Sequence, residues 1–433
     1  MSPPILLAAT GPAPHPLMVL PFVVMLLTIA IAPLTIKHFW ERWYHLIALG
    51  LGAISVFYYL AVLKFPAPMI HVAEEYLSFI GLIGSLYIVS GGIHIRVKGE
   101  ATPAINVLFL LIGAIIANVI GTTGASMLLI RPWIRMNKYR ITAFHIVFFI
   151  FIVSNVGGCL TPIGDPPLFL GFLKGVPFWW VLEHCWQAWC VGVAGLLAIF
   201  YVIDRRNFAR APREVSEKFT AQEEWRFDGL HNLFFLVLIL FGVFQPFGMR
   251  EGIMLAAALG SYFTTKRSVH QANDFNFHPI KEVAWLFIGI FATMVPALQY
   301  LQTHSGILPL VSEMHFYWFT GALSGVLDNA PTYLAFLAAA FGRTGLSLDS
   351  PADMQTFLAE HDHHLIAISV GAVFFGAMTY IGNGPNFMVK AIAEHQKVET
   401  PSFLDYIVRF ALPVLVPFFF LVGILFFSRW RVF

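Results

Sequence analysis

Two aspartates stand in stretches that otherwise carry almost no charge. Asp165 lies in the segment Thr161-Pro-Ile-Gly-Asp-Pro-Pro167 and Asp328 in Leu327-Asp-Asn-Ala-Pro331, each bordered by long apolar runs. An Asp at the centre of a bilayer costs roughly 2.5 to 3.5 kcal/mol on insertion scales, so such residues are functional by default. Small polar side chains gather around both. Asn118, Thr122, Thr123, Ser126, Ser154, Asn155 and Thr161, with Gly164, accompany Asp165; Asn329, Thr332, Thr379, Gly382, Asn383 and Asn386 accompany Asp328. Hydroxyl, amide, carboxylate and carbonyl oxygens suit hard cations such as sodium. We therefore expect this set to bind an ion or substrate, with Asp165 and Asp328 as both the sodium ligands and the proton-coupling groups. Other titratable residues read more plainly. Glu74, Glu75 and Glu282 open apolar stretches, where a carboxylate caps a helix N-terminus. His94, His145 and His184 fall near span ends as interfacial hydrogen-bonding residues, and Glu360-His361-Asp362-His363-His364 is a hydrated polar loop.

The elements that must position these residues follow from composition. With 433 residues, 58% of them hydrophobic and only 12% charged, the chain departs from the roughly 25% charged residues of soluble domains. It reads as an all-α polytopic membrane protein whose main partner is the lipid bilayer. A soluble enzyme and a nucleic-acid binder are excluded by the same numbers, since a net charge of +2 forms no continuous basic stripe. Cys159, Cys185 and Cys190 have no zinc-ligand spacing, and no resident cofactor is expected. The absence of Lys and Arg before Lys37 makes the first apolar block a retained span rather than a signal peptide.

Full-length spans are expected at about 17–35, 44–63, 73–95, 141–173, 181–203, 230–247, 252–265, 283–301, 365–394 and 403–427. Two stretches are too short. Residues 125–135 reach only about 17 Å as helix and 332–341 only about 15 Å. Paired with the apolar runs before them, they read as re-entrant hairpins with tips at Gly121-Thr122-Thr123-Gly124 and Asp328-Asn329-Ala330-Pro331. The prolines and glycines at Thr161–Pro167 and Thr379–Asn386 break the helices that contain them, and irregular backbone at membrane depth must line protein or a wet cavity. Giving each hairpin no net crossing and starting outside puts 19 Lys and Arg in inside loops against 6 outside, with Arg409 near the inner end of the last span. Both termini are then outside.

An internal repeat supports the layout. Phe79-Ile80-Gly81 matches Phe287-Ile288-Gly289, Thr122 matches Asn329, and TPIGDPPLFL (161–170) matches TYIGNGPNFM (379–388). The expected organisation is a first repeat at 1–203 (hairpin 104–136, broken helix 141–173), a cytoplasmic linker at 204–229 and a second repeat at 230–433 (hairpin 316–341, broken helix 365–394). Five crossings and one hairpin in each half invert the repeats relative to each other.

SNVGGCLTPIGDPP (154–167), LDNAP (327–331) and YIGNGPN (380–386) resemble the signature segments of the ion transporter superfamily. That superfamily includes type-D sodium/proton antiporters, arsenite permeases and sodium-coupled dicarboxylate and citrate carriers, and the chain is most similar to its antiporter and citrate-transport branches. The resemblance implies a homodimer in a bacterial-type inner (plasma) membrane, with scaffold helices holding the dimer and a hairpin-bearing transport domain moving like an elevator. The first hairpin tip departs from the family, having neither the acidic Asp-Asn pair of antiporters nor the Ser-Asn-Thr of dicarboxylate carriers. The leading expectation is a sodium/proton antiporter in which Asp165 and Asp328 alternate between proton and sodium. Its alternative is a sodium- or proton-coupled carboxylate carrier, such as one for citrate. A remote third reading, an intramembrane aspartyl enzyme, has no accompanying zinc motif, and no catalytic residue is expected.

Overall fold

Backbone amides in lipid have no water to bond, so an apolar chain of this kind must satisfy them within helices. A computed structural model describes residues 12–96, 101–210 and 226–428, and the statements below concern those residues. The helices are α1 (Leu20–Thr35), α2 (Lys37–Phe57), α3 (Ala67–Gly91), α4 (Pro103–Met136), α5 (Ala143–Ile152), α6 (Pro166–Leu173) and α7 (Trp180–Arg210). They continue with α8 (Asn232–Val243), α9 (Met249–Thr264), α10 (Arg267–Ala272), α11 (His278–Thr303), α12 (Glu313–Ser324), α13 (Asn329–Thr344), α14 (Pro351–Glu360), α15 (Asp362–Phe375) and α16 (Gly384–His395). The last, α17, runs over Phe403–Phe427 with a π-helical stretch at Tyr406–Leu415. The strands are a short antiparallel pair, β1 (His94–Arg96) and β2 (Arg226–Asp228), in which Ile95 faces Phe227. Seven helices are long and apolar enough to cross a membrane, namely α1 with its leading turn, α2, α3, α4, α7, α11 and α17. The protein is an all-α polytopic membrane protein.

Length misleads for α4. A straight helix of its 34 residues would be about 51 Å long. Yet the Asn106 amide donates to Asn137 Oδ1 at 2.8 Å, which places the two ends side by side. The chain folds back at Gly121, whose φ of 76° and ψ of 156° are available almost only to glycine. The pair α12 and α13 also folds back, because Arg343 at the end of α13 bonds the Leu308 carbonyl ahead of α12. Helix pairs α5/α6 and α15/α16 are interrupted rather than continuous, with irregular backbone and a turn of 3₁₀ helix at Val156–Gly158 and at Gly376–Met378.

These elements form two packed sets. Helices α1, α2, α3, α8, α9 and α11 pack on one another, and the folded-back pairs and interrupted helices pack together with α7 and α17. The sets meet where α3 lies against α4 and α6, and where α11 lies against α13. Phe79 stacks on Phe287 within the first set, so two residues matched by the internal repeat touch directly.

Three expectations change. Helices α8 and α9 have 12 and 16 residues, separated by a turn at Gly248 with φ 87°, and each is shorter than the roughly 20 residues of a full span. Residues 204–210, expected as linker, continue α7 because Asp204 is an anchor: its fully buried carboxylate pairs with Arg140 and accepts from His145 Nε2 at 3.1 Å. His145 is therefore completely buried rather than interfacial. Most of the expected linker and both chain ends fall outside the described residues.

Two substitutions test this reading. Gly121→Ala forces a β-carbon into a glycine-only conformation and to 3.1 Å from the Ile163 carbonyl oxygen, and should cost about 1–3 kcal/mol. Asp204→Leu leaves Arg140 buried without its partner and should cost about 3–5 kcal/mol. Both should lower the thermal unfolding midpoint of the detergent-solubilised protein, Asp204→Leu by more. An unchanged midpoint for either would contradict the role given to that residue.

Candidate functional site

The folded-back pairs and the interrupted helices exist because four local sequences cannot stay helical. In the interrupted helices, close approach of two backbone segments requires glycine. A methyl group added at Gly382 would lie 2.6 Å from the Gly376 carbonyl oxygen, and one at Gly164 would collide with that of Gly158. The two breaks are thus built alike, residue for residue, at the repeat offset. Thr161 Oγ1 accepts from the Gly164 amide at 3.0 Å, and Thr379 Oγ1 accepts from the Gly382 amide at 3.1 Å. Each hairpin tip is then tied to one break: the Thr122 amide donates to the Gly164 carbonyl at 2.7 Å, and the Asn329 amide to the Gly382 carbonyl at 3.2 Å.

This arrangement gathers four helix N-termini. Thr122 opens the second arm of α4, Asn329 is the first residue of α13, Asp165 is the N-cap of α6 and Asn383 the N-cap of α16. All four side chains meet. Asp165 Oδ1 accepts from Thr122 Oγ1 at 2.7 Å and from Asn383 Nδ2 at 2.8 Å, while its Oδ2 accepts from Asn329 Nδ2 at 2.6 Å. The carboxylate is fully buried. Charge-assisted bonds of this kind are roughly twice as strong as neutral ones, and the positive end of each helix dipole favours an anion. Four such ends explain how a carboxylate can stand here with no Lys or Arg bonded to it.

The remaining predicted residues divide by what they touch. Asn383 Nδ2 also donates to the Ser154 carbonyl at 3.1 Å, and Asn155 Nδ2 donates to Asn386 Oδ1 at 2.7 Å, so the two halves of the chain are joined at several points. Asn118, Thr379 and the Asn386 Nδ2 group bond backbone groups of the breaks, and Thr161 Oγ1 donates to the Asn118 carbonyl of α4, so these side chains maintain shape. Ser126 and Ser154 bond each other at 2.7 Å. Thr332 bonds the carbonyl of Asp328, whose own Oδ1 caps α13 through the Ala330 amide at 3.0 Å. Asp328 is half-buried and makes no hydrogen bond to Asp165, so the two predicted coupling residues are not equivalent. Thr123 is half-buried in the wall of a small crevice that also includes Ile83, Gly121, Thr122, Gly164 and Phe169.

Beside the junction, the buried side-chain amide oxygens of Asn155 and Asn329 have no hydrogen-bond donor among the described residues. Both side chains border Gly376: a β-carbon there would lie 2.8 Å from Asn155 Oδ1 and 3.3 Å from Asn329 Nδ2. An unpaired buried carbonyl oxygen costs about 1–3 kcal/mol, which a hard cation could offset. No group of three or more His, Cys, Asp or Glu side chains is placed to hold a metal among the described residues, including the 360–364 run.

Sequence reasoning missed Gly158 and Gly376, which carry the close backbone crossings. The signal was present, since the offset of the 161–170 and 379–388 match, extended three residues toward the N-terminus, pairs them. At α6 the first two helical positions are Pro166 and Pro167, which have no N–H, and the Leu168 amide bonds the Asp165 carbonyl. At α16 the first position is Gly384, which is exposed and faces open space.

No curated protein matches the chain. Residues 13–427, nearly its whole length, match the protein family described as "Putative citrate transport". With that match, an all-α membrane architecture and interrupted helices joined at one buried carboxylate, the chain belongs to this citrate-transport family of membrane transporters.

Proposed function

We propose that the protein is a secondary active carrier that moves a multivalent carboxylate such as citrate together with sodium ions or protons. The observation that carries this reading is Asp165, fully buried at four helix N-termini and held by Thr122, Asn329 and Asn383. The place where helix dipoles favour an anion is already taken by the protein's own carboxylate. A carboxylate substrate entering beside it meets a like charge, and like charges in a desolvated site repel strongly. Neutralising Asp165 with a proton or a nearby cation removes that repulsion and leaves the helix ends to the substrate. Substrate and cation then favour the same occupied state, which is the condition for symport. The unpaired oxygens of Asn155 and Asn329 supply ligands for the cation. The half-buried Asp328 and Thr123 and the exposed Gly384 are the groups open to a substrate.

In this reading the two halves are inverted repeats, and the site is exposed alternately to the two faces as one packed set moves against the other. The antiporter alternative uses the same carboxylate, with sodium and protons competing for it and no organic substrate. The family match supports the carrier.

Purified protein in proteoliposomes should accumulate radiolabelled citrate when a sodium or proton gradient is imposed, and not without one. Asp165→Asn, which keeps shape and removes the charge, should reduce gradient-driven uptake to background and abolish its dependence on pH. Sodium/proton exchange with no citrate movement would favour the antiporter instead. Asn383→Ala removes one partner of the carboxylate and should weaken cation binding by about 1–3 kcal/mol, read as a higher half-saturating cation concentration. Asn383→Ala with wild-type cation dependence would place the cation away from this junction.

A further inference from the structure

One ion network joins the two packed sets at a single seam. Lys174, at the C-terminal end of α6, lies 2.8 Å from Glu75 of α3 and 3.4 Å from Asp349 in the segment after α13. Glu75 in turn lies 3.2 Å from His71 on its own helix. The Lys174 and Glu75 side chains are 9% and 5% exposed, whereas His71 and Asp349 reach the surface. The sequence reading took Glu75 for a helix cap, but it lies two turns inside α3 and pairs across the seam. Gly175, with φ 102°, ends α6 beside Lys174 and turns the chain away.

The deep end of the same seam is the crevice described above. Its walls are Leu82 and Ile83 of α3, Phe169 of α6, and the α4 tip with Thr122, the residue bonded to Asp165. Glu75 lies two turns along α3 from Leu82, and Lys174 five residues along the chain from Phe169. The ion pair therefore closes the α3/α6 seam between the crevice and the face that carries Asp349. The other ion pair between the sets, Arg131 of α4 with the exposed Asp274, is longer at 3.7 Å.

A permanent contact gains nothing from charges here, because a buried ion pair is commonly replaceable by apolar residues at no loss. A surface that is alternately packed and wet is different. Each charge finds a partner when the seam is shut and water when it is open, while an apolar pair would resist hydration. We infer that Lys174, Glu75 and Asp349 form a gate: the α3/α6 seam is the access route to the Thr122–Asp165 junction from the Asp349 face, and this structure is its closed state. The inference rests on the alternating-access reading, and its test does not require the substrate.

The experiment places a single reactive cysteine in the crevice as Ile83→Cys, with the exposed Cys190 replaced by Ser and the buried Cys159 and Cys185 retained. Labelling by a membrane-impermeant maleimide is followed in right-side-out and inverted vesicles. Lys174→Met and Glu75→Gln should each speed labelling from the Asp349 face by at least about five-fold, the scale of a modest conformational coupling. The exposed-partner variant Asp349→Asn should act in the same direction more weakly, and the exchange Glu75→Lys with Lys174→Glu should return the rate toward that of the parent. Unchanged labelling in Lys174→Met and Glu75→Gln, or acceleration only from the opposite face, would overturn the gate. Because labelling is read without substrate, a protein that moves no citrate yet shows the predicted rates would count against the carrier reading alone.

Discussion

An ionised carboxylate without water must be held by donors and dipoles, and Asp165 imposes that requirement on the whole architecture. Its oxygens accept from Thr122, Asn383 and Asn329, each at a different helix N-terminus, while Asp165 itself stands at the N-cap position of a fourth. Bringing four helix starts to one point at membrane depth cannot be done with continuous spans. It needs two chains that turn back and two that break, and each needs residues that leave helical geometry willingly. Gly121 supplies the positive φ of one turn, and the pairs Gly158/Gly164 and Gly376/Gly382 let backbone approach backbone in the breaks. The Gly164 and Gly382 amides that the breaks release are bonded again by Thr161 and Thr379, and the carbonyls of the same two glycines accept from the Thr122 and Asn329 amides at the hairpin tips.

The junction also explains why the two halves of the chain hold one site. Asn383 and Asn329 come from the second half, Asp165 and Thr122 from the first, and Asn155 meets Asn386 alongside. The two breaks share the Thr-to-glycine-amide bond but differ in charge, since the N-cap residue is Asp165 in one and Asn383 in the other. Asn383 in place of a second Asp at this point leaves Asp165 as the titratable group bonded to both halves. Ala114, Val156, Phe149 and Ala330 on the neighbouring elements are fully buried. The crevice beside α3, by contrast, marks the less filled seam where the two packed sets meet.

Much of this was legible in the sequence because the signals are covalent and local. Proline and glycine announce a break whatever surrounds them, and the Asp in each motif announced an unusual carboxylate. All-α membrane character followed from composition alone. Other features depended on distant partners and carried no local mark. Glu75 looks like a cap until Lys174 lies against it, and Asp204 looks like the start of a linker until Arg140 and His145 meet it. The unequal standing of Asp165 and Asp328 was equally hidden, since both sit in similar motifs and only packing shows that Asp165 alone bonds both halves. Thr161, Thr379 and Asn118 bond backbone groups, and a hydroxyl or amide that shapes a break has the same sequence signature as one that binds an ion.

The central claim is that substrate and cation occupy a common site through neutralisation of Asp165. Equilibrium binding to the purified protein tests it most directly: citrate affinity measured by titration calorimetry at several sodium concentrations and pH values, and sodium affinity measured with and without citrate. The account predicts that sodium or protons tighten citrate binding and that citrate tightens sodium binding by the same factor, as linkage requires. Citrate binding indifferent to both cations, or sodium and protons competing with each other while citrate has no effect, would contradict it.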